Sequence, residues 1–174
     1  MIVVCPYDRV EAAAEKYKPT AAISLLDCAD NAPTIKGIAP EQHLKLSLTM
    51  AEAEMMSMPC PNKECGRIEQ IIEFAQKADW GHAVLVHCRL GISRSPAAAY
   101  IIQCALAPDR DEVHIAEEMR QLSEAIDPSM MMISVADEVL KRDGRMVNAI
   151  DNLSLAEPCI AGDILEIPFL PQAA

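Results

Sequence analysis

From residue 95 to residue 108 the chain carries no charge over 14 positions, and apolar side chains fall on almost every face of the helix this run predicts. A helix without a polar face has to be packed on all sides. Fourteen residues are too few to cross a bilayer, which takes about 20. The run therefore belongs inside a layered domain large enough to surround a helix. The whole chain, 174 residues, fits one such domain and is short for two well-buried ones. Its core has to be built from Ala, Ile, Leu, Val and ten Met, because aromatics make up only 3% of the residues.

Around this helix, strand-like runs alternate with amphipathic segments. Residues 2–5, 21–26, 44–48 and 83–87 read as strands. Val10, Ala13, Ala14 and Tyr17 form a helical stripe, with Asp8 as the expected N-cap and Glu11 at the capping-box position. Ile68, Ile71, Ile72 and Ala75 mark a second helix, and Ile115, Met119, Leu122 and Ile126 a third. Asp127-Pro128 supplies an expected N-cap and N1 proline for a fourth, with Gly144 as its stop. This alternation predicts an α/β domain of three layers, with a central, largely parallel sheet of four to five strands flanked by helices. Residues 1–150 are assigned to that domain. Residues 151–174 read as a C-terminal extension, either an added strand over 164–170 or a docked tail.

The charge balance narrows the partners. With 26 acidic against 15 basic residues the net charge is −11, which argues against a nucleic-acid-binding face and leaves room for a small, local anion site. The start, Met1-Ile-Val-Val-Cys5, has no basic n-region and too short an apolar run for a secretory signal. Seven cysteines with no CxxC pair suit a reduced cytoplasmic interior better than a disulfide framework, so a cytoplasmic protein without membrane attachment is expected. Cys60 and Cys65 are not matched by a second Cys/His pair at zinc spacing, so neither a metal nor another cofactor is expected. His43, His82 and His114 read as structural or exposed.

The chemistry lies in His87-Cys88-Arg89-Leu90-Gly91-Ile92-Ser93-Arg94-Ser95, between the strand at 83–87 and the charge-free helix. A tight loop at a helix N-terminus points successive backbone N–H groups into one concavity, a ready anion site. Gly91 lets the loop turn where a Cβ would obstruct it. Arg94, in the first helical turn, can fork two N–H donors onto phosphate oxygens. Cys88, at the base of the cradle, faces a field that favours thiolate over thiol.

The pattern HC-x-x-G-x-x-R-S resembles the signature of the cysteine-dependent protein tyrosine phosphatases, especially the compact dual-specificity-like branch. The flanks agree, with a buried strand before the loop and Pro96-Ala97-Ala98-Ala99 opening a helix after it. The resemblance implies a phosphotyrosine-phosphatase-like fold and hydrolysis of phosphomonoesters through a phosphocysteine. Cys88 would be the nucleophile, and Arg94 would bind the phosphoryl oxygens. His87 would tune the thiolate from beneath, and Ser95 would donate to it as it departs. The backbone N–H groups from Arg89 through Leu90, Gly91, Ile92 and Ser93 to Arg94 would complete the cradle. The implied partner is a phosphorylated protein or a small phosphomonoester.

The sequence departs from the family at the general acid. An Asp is expected on a loop roughly thirty to forty residues before the cysteine, yet none occurs between Asp30 and Asp79. Glu52 and Glu54, 36 and 34 residues before Cys88, are the acids near that place, with Glu52 the first choice and Glu54 the alternative. The rival function is a phosphate-binding module with weak or no turnover. Cys5 or Cys28 is a candidate to trap oxidised Cys88 as a disulfide, and the bland reading of both is a small buried hydrophobe. Tyr7 and Phe169 are candidates to flank a substrate ring. Lys141, Arg142 and Arg145 read either as an anion-facing cluster or as an ordinary basic helix terminus.

Overall fold

The strand-like runs at 2–5, 21–26 and 83–87 are apolar at almost every position, the pattern of strands covered on both faces. The computed structural model describes residues 1–48 and 65–169. In it β1 (Ile2–Pro6), β2 (Ala21–Leu26), β3 (His43–Ser47), β4 (Val84–Cys88) and β5 (Leu165–Ile167) form one sheet in the order β3-β2-β4-β1-β5. The first four strands run parallel, and β5 runs antiparallel to β1 with Leu165 opposite Val4. Leu165–Ile167 thus forms an edge strand.

Alternate residues of the strands feed two cores. Val3, Cys5, Ala22 and Leu85 pack with Val10 and Ala13 of α1 (Val10–Tyr17) and with Ile35. Ile2, Val4, Ile23, Leu25, Val84 and Val86 point the other way. Their core is completed by α2 (Cys65–Lys77), α3 (Arg94–Leu106), α4 (Glu112–Leu122), α5 (Met130–Val139) and α6 (Arg145–Asp151). This is the three-layer α/β architecture expected. β4 is flanked by β1 and β2, and the helices following β1 and β4 cover opposite faces. The crevice at the carboxyl ends of β1 and β4 is therefore a topological switch point, where open α/β sheets place their sites.

The charge-free run is α3, and it lies in the middle of the helical layer. Ala97, Ala98, Ala99, Tyr100, Ile101 and Ile102 are fully buried. Burial of an Ile side chain contributes roughly 1.5–3 kcal/mol before conformational entropy is charged against it. The Tyr100 hydroxyl donates to the Glu112 carbonyl at 3.2 Å, so the ring brings no unpaired polar atom into the core.

Several local expectations change. Gly144 does not stop α5, which ends at Val139, but is the N-cap of α6. Asp8 caps no helix: it lies within a 3-10 turn, Tyr7–Arg9, and α1 starts at Val10 without a side-chain cap. Asp127 is not an N-cap either, because α5 begins only at Met130, and the Asp127 N–H donates instead to the Ile92 carbonyl at 2.8 Å. Arg142 is a buried strut. It donates to the Cys104 and Pro108 carbonyls at 2.7 and 3.1 Å, capping the C-terminus of α3, and pairs with buried Glu112 at 3.2 Å. A cation at a helix C-terminus complements the dipole, and here it does so for a neighbouring helix.

Candidate active site

Cys88 is the last residue of β4, and Arg94 and Ser95 open α3, so the phosphate-loop residues span one strand-to-helix turn. The Cys88 thiol is buried. Its Sγ accepts the Gly91 N–H at 3.2 Å and the Ser95 hydroxyl at 3.1 Å. Two donors converging on one sulfur stabilise negative charge there more than a neutral thiol needs. Gly91 has φ +71°, and a Cβ there would lie 2.6 Å from the Pro6 nitrogen. The loop crosses the end of β1 at a distance only glycine permits.

The cradle owes its shape to what holds its carbonyls. In a planar trans peptide the C=O of one residue and the N–H of the next point in opposite directions. The carbonyl of Arg89 accepts from Tyr7 N–H (3.2 Å), that of Leu90 from Gly162 (2.8 Å), that of Ile92 from Asp127 (2.8 Å) and that of Ser93 from Ser129 (3.3 Å). With those oxygens drawn outward, the N–H groups of Leu90, Gly91, Ser93 and Arg94 are turned the other way, the arrangement of an anion nest.

Arg94 is largely enclosed, with its side chain 17% exposed. Its Nη1 donates to Asp27 Oδ1 and to the Leu48 carbonyl, both at 2.7 Å, which occupies both protons of that nitrogen. The Nε–Nη2 edge is left as the fork for two oxygens of an oxyanion. Asp27 follows β2, and its carboxylate is mostly exposed.

Beneath the loop, His87 points to the α1 side of the sheet and is fully buried. Its Nε2 meets Ser24 Oγ at 2.6 Å, and the same hydroxyl meets His43 Nε2 at 2.7 Å. One hydroxyl has one proton, so it donates to one imidazole and accepts from the other, giving a directional chain across β4, β2 and β3. Burial, then the neighbouring His43, pushes the His87 pKa down to about 4; burial, then Lys45, does the same to His43. Both rings are neutral at pH 7. Among the described residues, the positive character of the site therefore comes from Arg94 and the backbone, with Arg89 exposed.

Of the other expected participants, Glu52, Glu54 and Cys60 lie outside the described residues. Tyr7 lies beside the loop: its N–H holds the Arg89 carbonyl, its ring meets His87 edge-on at 5.9 Å between centroids, and the residue is 36% exposed. Phe169 is not, being buried edge-on against Trp80 at 5.0 Å. Cys5 is buried, and its thiol is pushed up to about 12 by burial, then by Cys88 and Asp8; Cys28 is exposed. Asp27, Ser24, His43 and the amides of Asp127, Ser129 and Gly162 were not singled out from sequence as parts of the site. Ser24, polar within an otherwise apolar strand, was the readable signal; the bracing amides belong to backbone geometry and leave no residue-type mark. Among the described residues no helix is long and apolar enough to cross a membrane.

No family model matches the chain, and no curated protein is found to match it. Among solved structures, the chain is similar to a crystal structure of PTPMT1 in complex with PI(5)P, with a TM-score of 0.59 over 86% of this chain and 93% of that one. PTPMT1 is a dual-specificity-like member of the protein tyrosine phosphatase family. Identity between the two is 17%, so the likeness is one of fold: a mostly parallel five-stranded sheet flanked by helices, as in that phosphatase.

Proposed function

We propose that this chain hydrolyses phosphomonoesters through a phosphocysteine on Cys88, with phosphotyrosine-type protein substrates as the leading class. The observation that carries this reading is the convergence of the Gly91 N–H and the Ser95 hydroxyl on Cys88 Sγ. In the first step the thiolate attacks phosphorus and forms the S–P bond as the bond to the ester oxygen breaks. Arg94 and the nest amides hold the equatorial oxygens as their charge spreads. The departing oxygen leaves with a proton. In the second step water attacks phosphorus and gives a proton to the carboxylate that supplied one in the first step, the S–P bond breaks, and the Ser95 hydroxyl stabilises the returning thiolate. Dividing the reaction lets a strong nucleophile make the first attack. Tyr7 at the rim offers an aromatic wall to a phenyl ring. The chain would work in the cytoplasm on phosphoproteins or small phosphomonoesters, without nucleic acid or membrane.

Glu52 is proposed as the acid that protonates the leaving oxygen, with Glu54 the alternative. A missing acid costs about 10²–10⁴ in rate. The absence of Asp between Asp30 and Asp79 favours a second reading, a phosphate-binding module with slow turnover. The deciding experiment measures hydrolysis of a phosphotyrosine peptide and of p-nitrophenyl phosphate by the parent and Glu52→Gln. Loss confined to the peptide identifies the acid, because nitrophenolate departs unaided. Peptide turnover lost in background, with binding retained, makes the protein a binding module.

A further inference from the structure

The segment 152–164 lies between α6 and β5 and passes over the phosphate loop. Its Glu157 N–H donates to the Glu124 carbonyl and its Gly162 N–H to the Leu90 carbonyl, each at 2.8 Å. The fit at Gly162 is tight. A Cβ there would stand 3.0 Å from the Gly91 oxygen and 3.3 Å from its carbonyl carbon, so strap and loop would have to part by a few tenths of an ångström to admit it.

The Leu90 carbonyl held by Gly162 belongs to the same peptide plane as the Gly91 N–H that donates to Cys88 Sγ. Pulling the oxygen outward aims the N–H at the sulfur. That plane is also the one most free to turn, because it is followed by a glycine with positive φ, which bears no Cβ to resist rotation. Tyr7, Asp127 and Ser129 hold the carbonyls of Arg89, Ile92 and Ser93, and none of those bonds is to this plane.

We propose that Gly162 is a positioning residue for Cys88: the C-terminal strap locks the Leu90–Gly91 peptide so that its N–H points at the nucleophile. The proposal rests on the phosphatase reading of the loop and makes the extension part of the site. Without the lock, the peptide samples the flipped orientation, presenting a carbonyl oxygen to the sulfur and to any bound oxyanion.

The test compares the parent, Gly162→Ala, and Ile160→Ala, a change at a strap residue that is 93% exposed. Three quantities are read: orthovanadate affinity, the rate of Cys88 alkylation by iodoacetamide at pH 6, and Tm. Gly162→Ala is expected to weaken vanadate about tenfold and slow alkylation about fivefold, with Ile160→Ala at parent values. If Gly162→Ala also lowers Tm, Ile71→Ala, a buried change in α2, supplies the same loss of stability away from the loop. Slower alkylation in Gly162→Ala alone supports the lock; equal slowing in both overturns it. Parent-like vanadate affinity and alkylation in Gly162→Ala overturn it as well, with the phosphatase reading intact. A parent that binds no vanadate, and whose Cys88 alkylates no faster than a free thiol, removes the phosphatase reading and the lock together.

Discussion

Replacing Gly91 by Ala tests the close crossing of the phosphate loop over β1. Two costs follow from the structure. With φ at +71°, an Ala would sit in the left-handed region, which costs an L-residue roughly 1–2 kcal/mol. Its Cβ would also stand 2.6 Å from the Pro6 nitrogen, 2.9 Å from Pro6 Cδ and 3.0 Å from the Cys5 carbonyl carbon, where ordinary contact begins near 3.4 Å. Relieving that overlap requires a shift approaching 1 Å between loop and strand, and overpacking of this kind costs about 1–3 kcal/mol. Together the loss comes to about 2–5 kcal/mol. In a chain of this length each kcal/mol moves Tm by roughly 2–4 °C. Urea denaturation and thermal melting read the stability, and vanadate titration reads the cradle. Both should fall, and vanadate affinity should fall further than global destabilisation accounts for, because the shift moves the Gly91 N–H off Cys88. A Gly91→Ala protein with parent stability and parent vanadate affinity would refute the crossing geometry.

Arg94→Lys is expected to reduce kcat/KM for p-nitrophenyl phosphate by at least about a hundredfold, since a point charge cannot replace the fork left free beside the Asp27 pair; a loss of less than fivefold contradicts the assignment. Asp27→Asn keeps an oxygen acceptor for Nη1 while removing a negative charge at the mouth, so phosphate should bind about two- to fivefold more tightly, most at low salt; weaker binding would mean the carboxylate's charge is what orients Arg94. His87 has its pKa lowered from 6.5 to about 4 in the folded chain, so between those values the unfolded state holds more protons. Stability present above pH 6.5 is therefore lost as pH falls through about 4, by about 3 kcal/mol for His87 and less for partly buried His43. Urea midpoints of the parent and His87→Asn from pH 7 to pH 4 should converge as the pH falls; parallel curves contradict the burial of a neutral imidazole.

Much of this site could be read from the sequence because its chemistry is local. Cys88, Gly91, Arg94 and Ser95 fall within eight residues, so one strand-to-helix turn brings them together, and distant amides then brace its carbonyls. The same holds for α3, whose unbroken apolar run required burial on all sides. What escaped notice depends on tertiary placement. Asp27 reaches Arg94 only because β2 and β4 pair in parallel register, with Leu25 opposite Cys88. Ser24, His43 and His87 meet across three strands from widely separated positions. Asp127 looked like a helix cap because Asp-Pro before an apolar stripe has that form, but the chain there first pairs its N–H with Ile92, and Ser129, two residues on, becomes the N-cap of α5. The bracing amides of Tyr7, Asp127, Ser129 and Gly162 act through the backbone, which every residue type except proline supplies alike.

The central claim is that Cys88 carries the phosphoryl group during turnover. Mixing the protein with a phosphate-labelled aryl phosphate, quenching in acid within the first turnovers and mapping the label by peptide mass spectrometry tests it directly. The label should sit on the peptide containing Cys88, as one phosphoryl group on sulfur, and disappear in Cys88→Ser. Steady turnover with no label on Cys88, or turnover that survives Cys88→Ser, would contradict the claim.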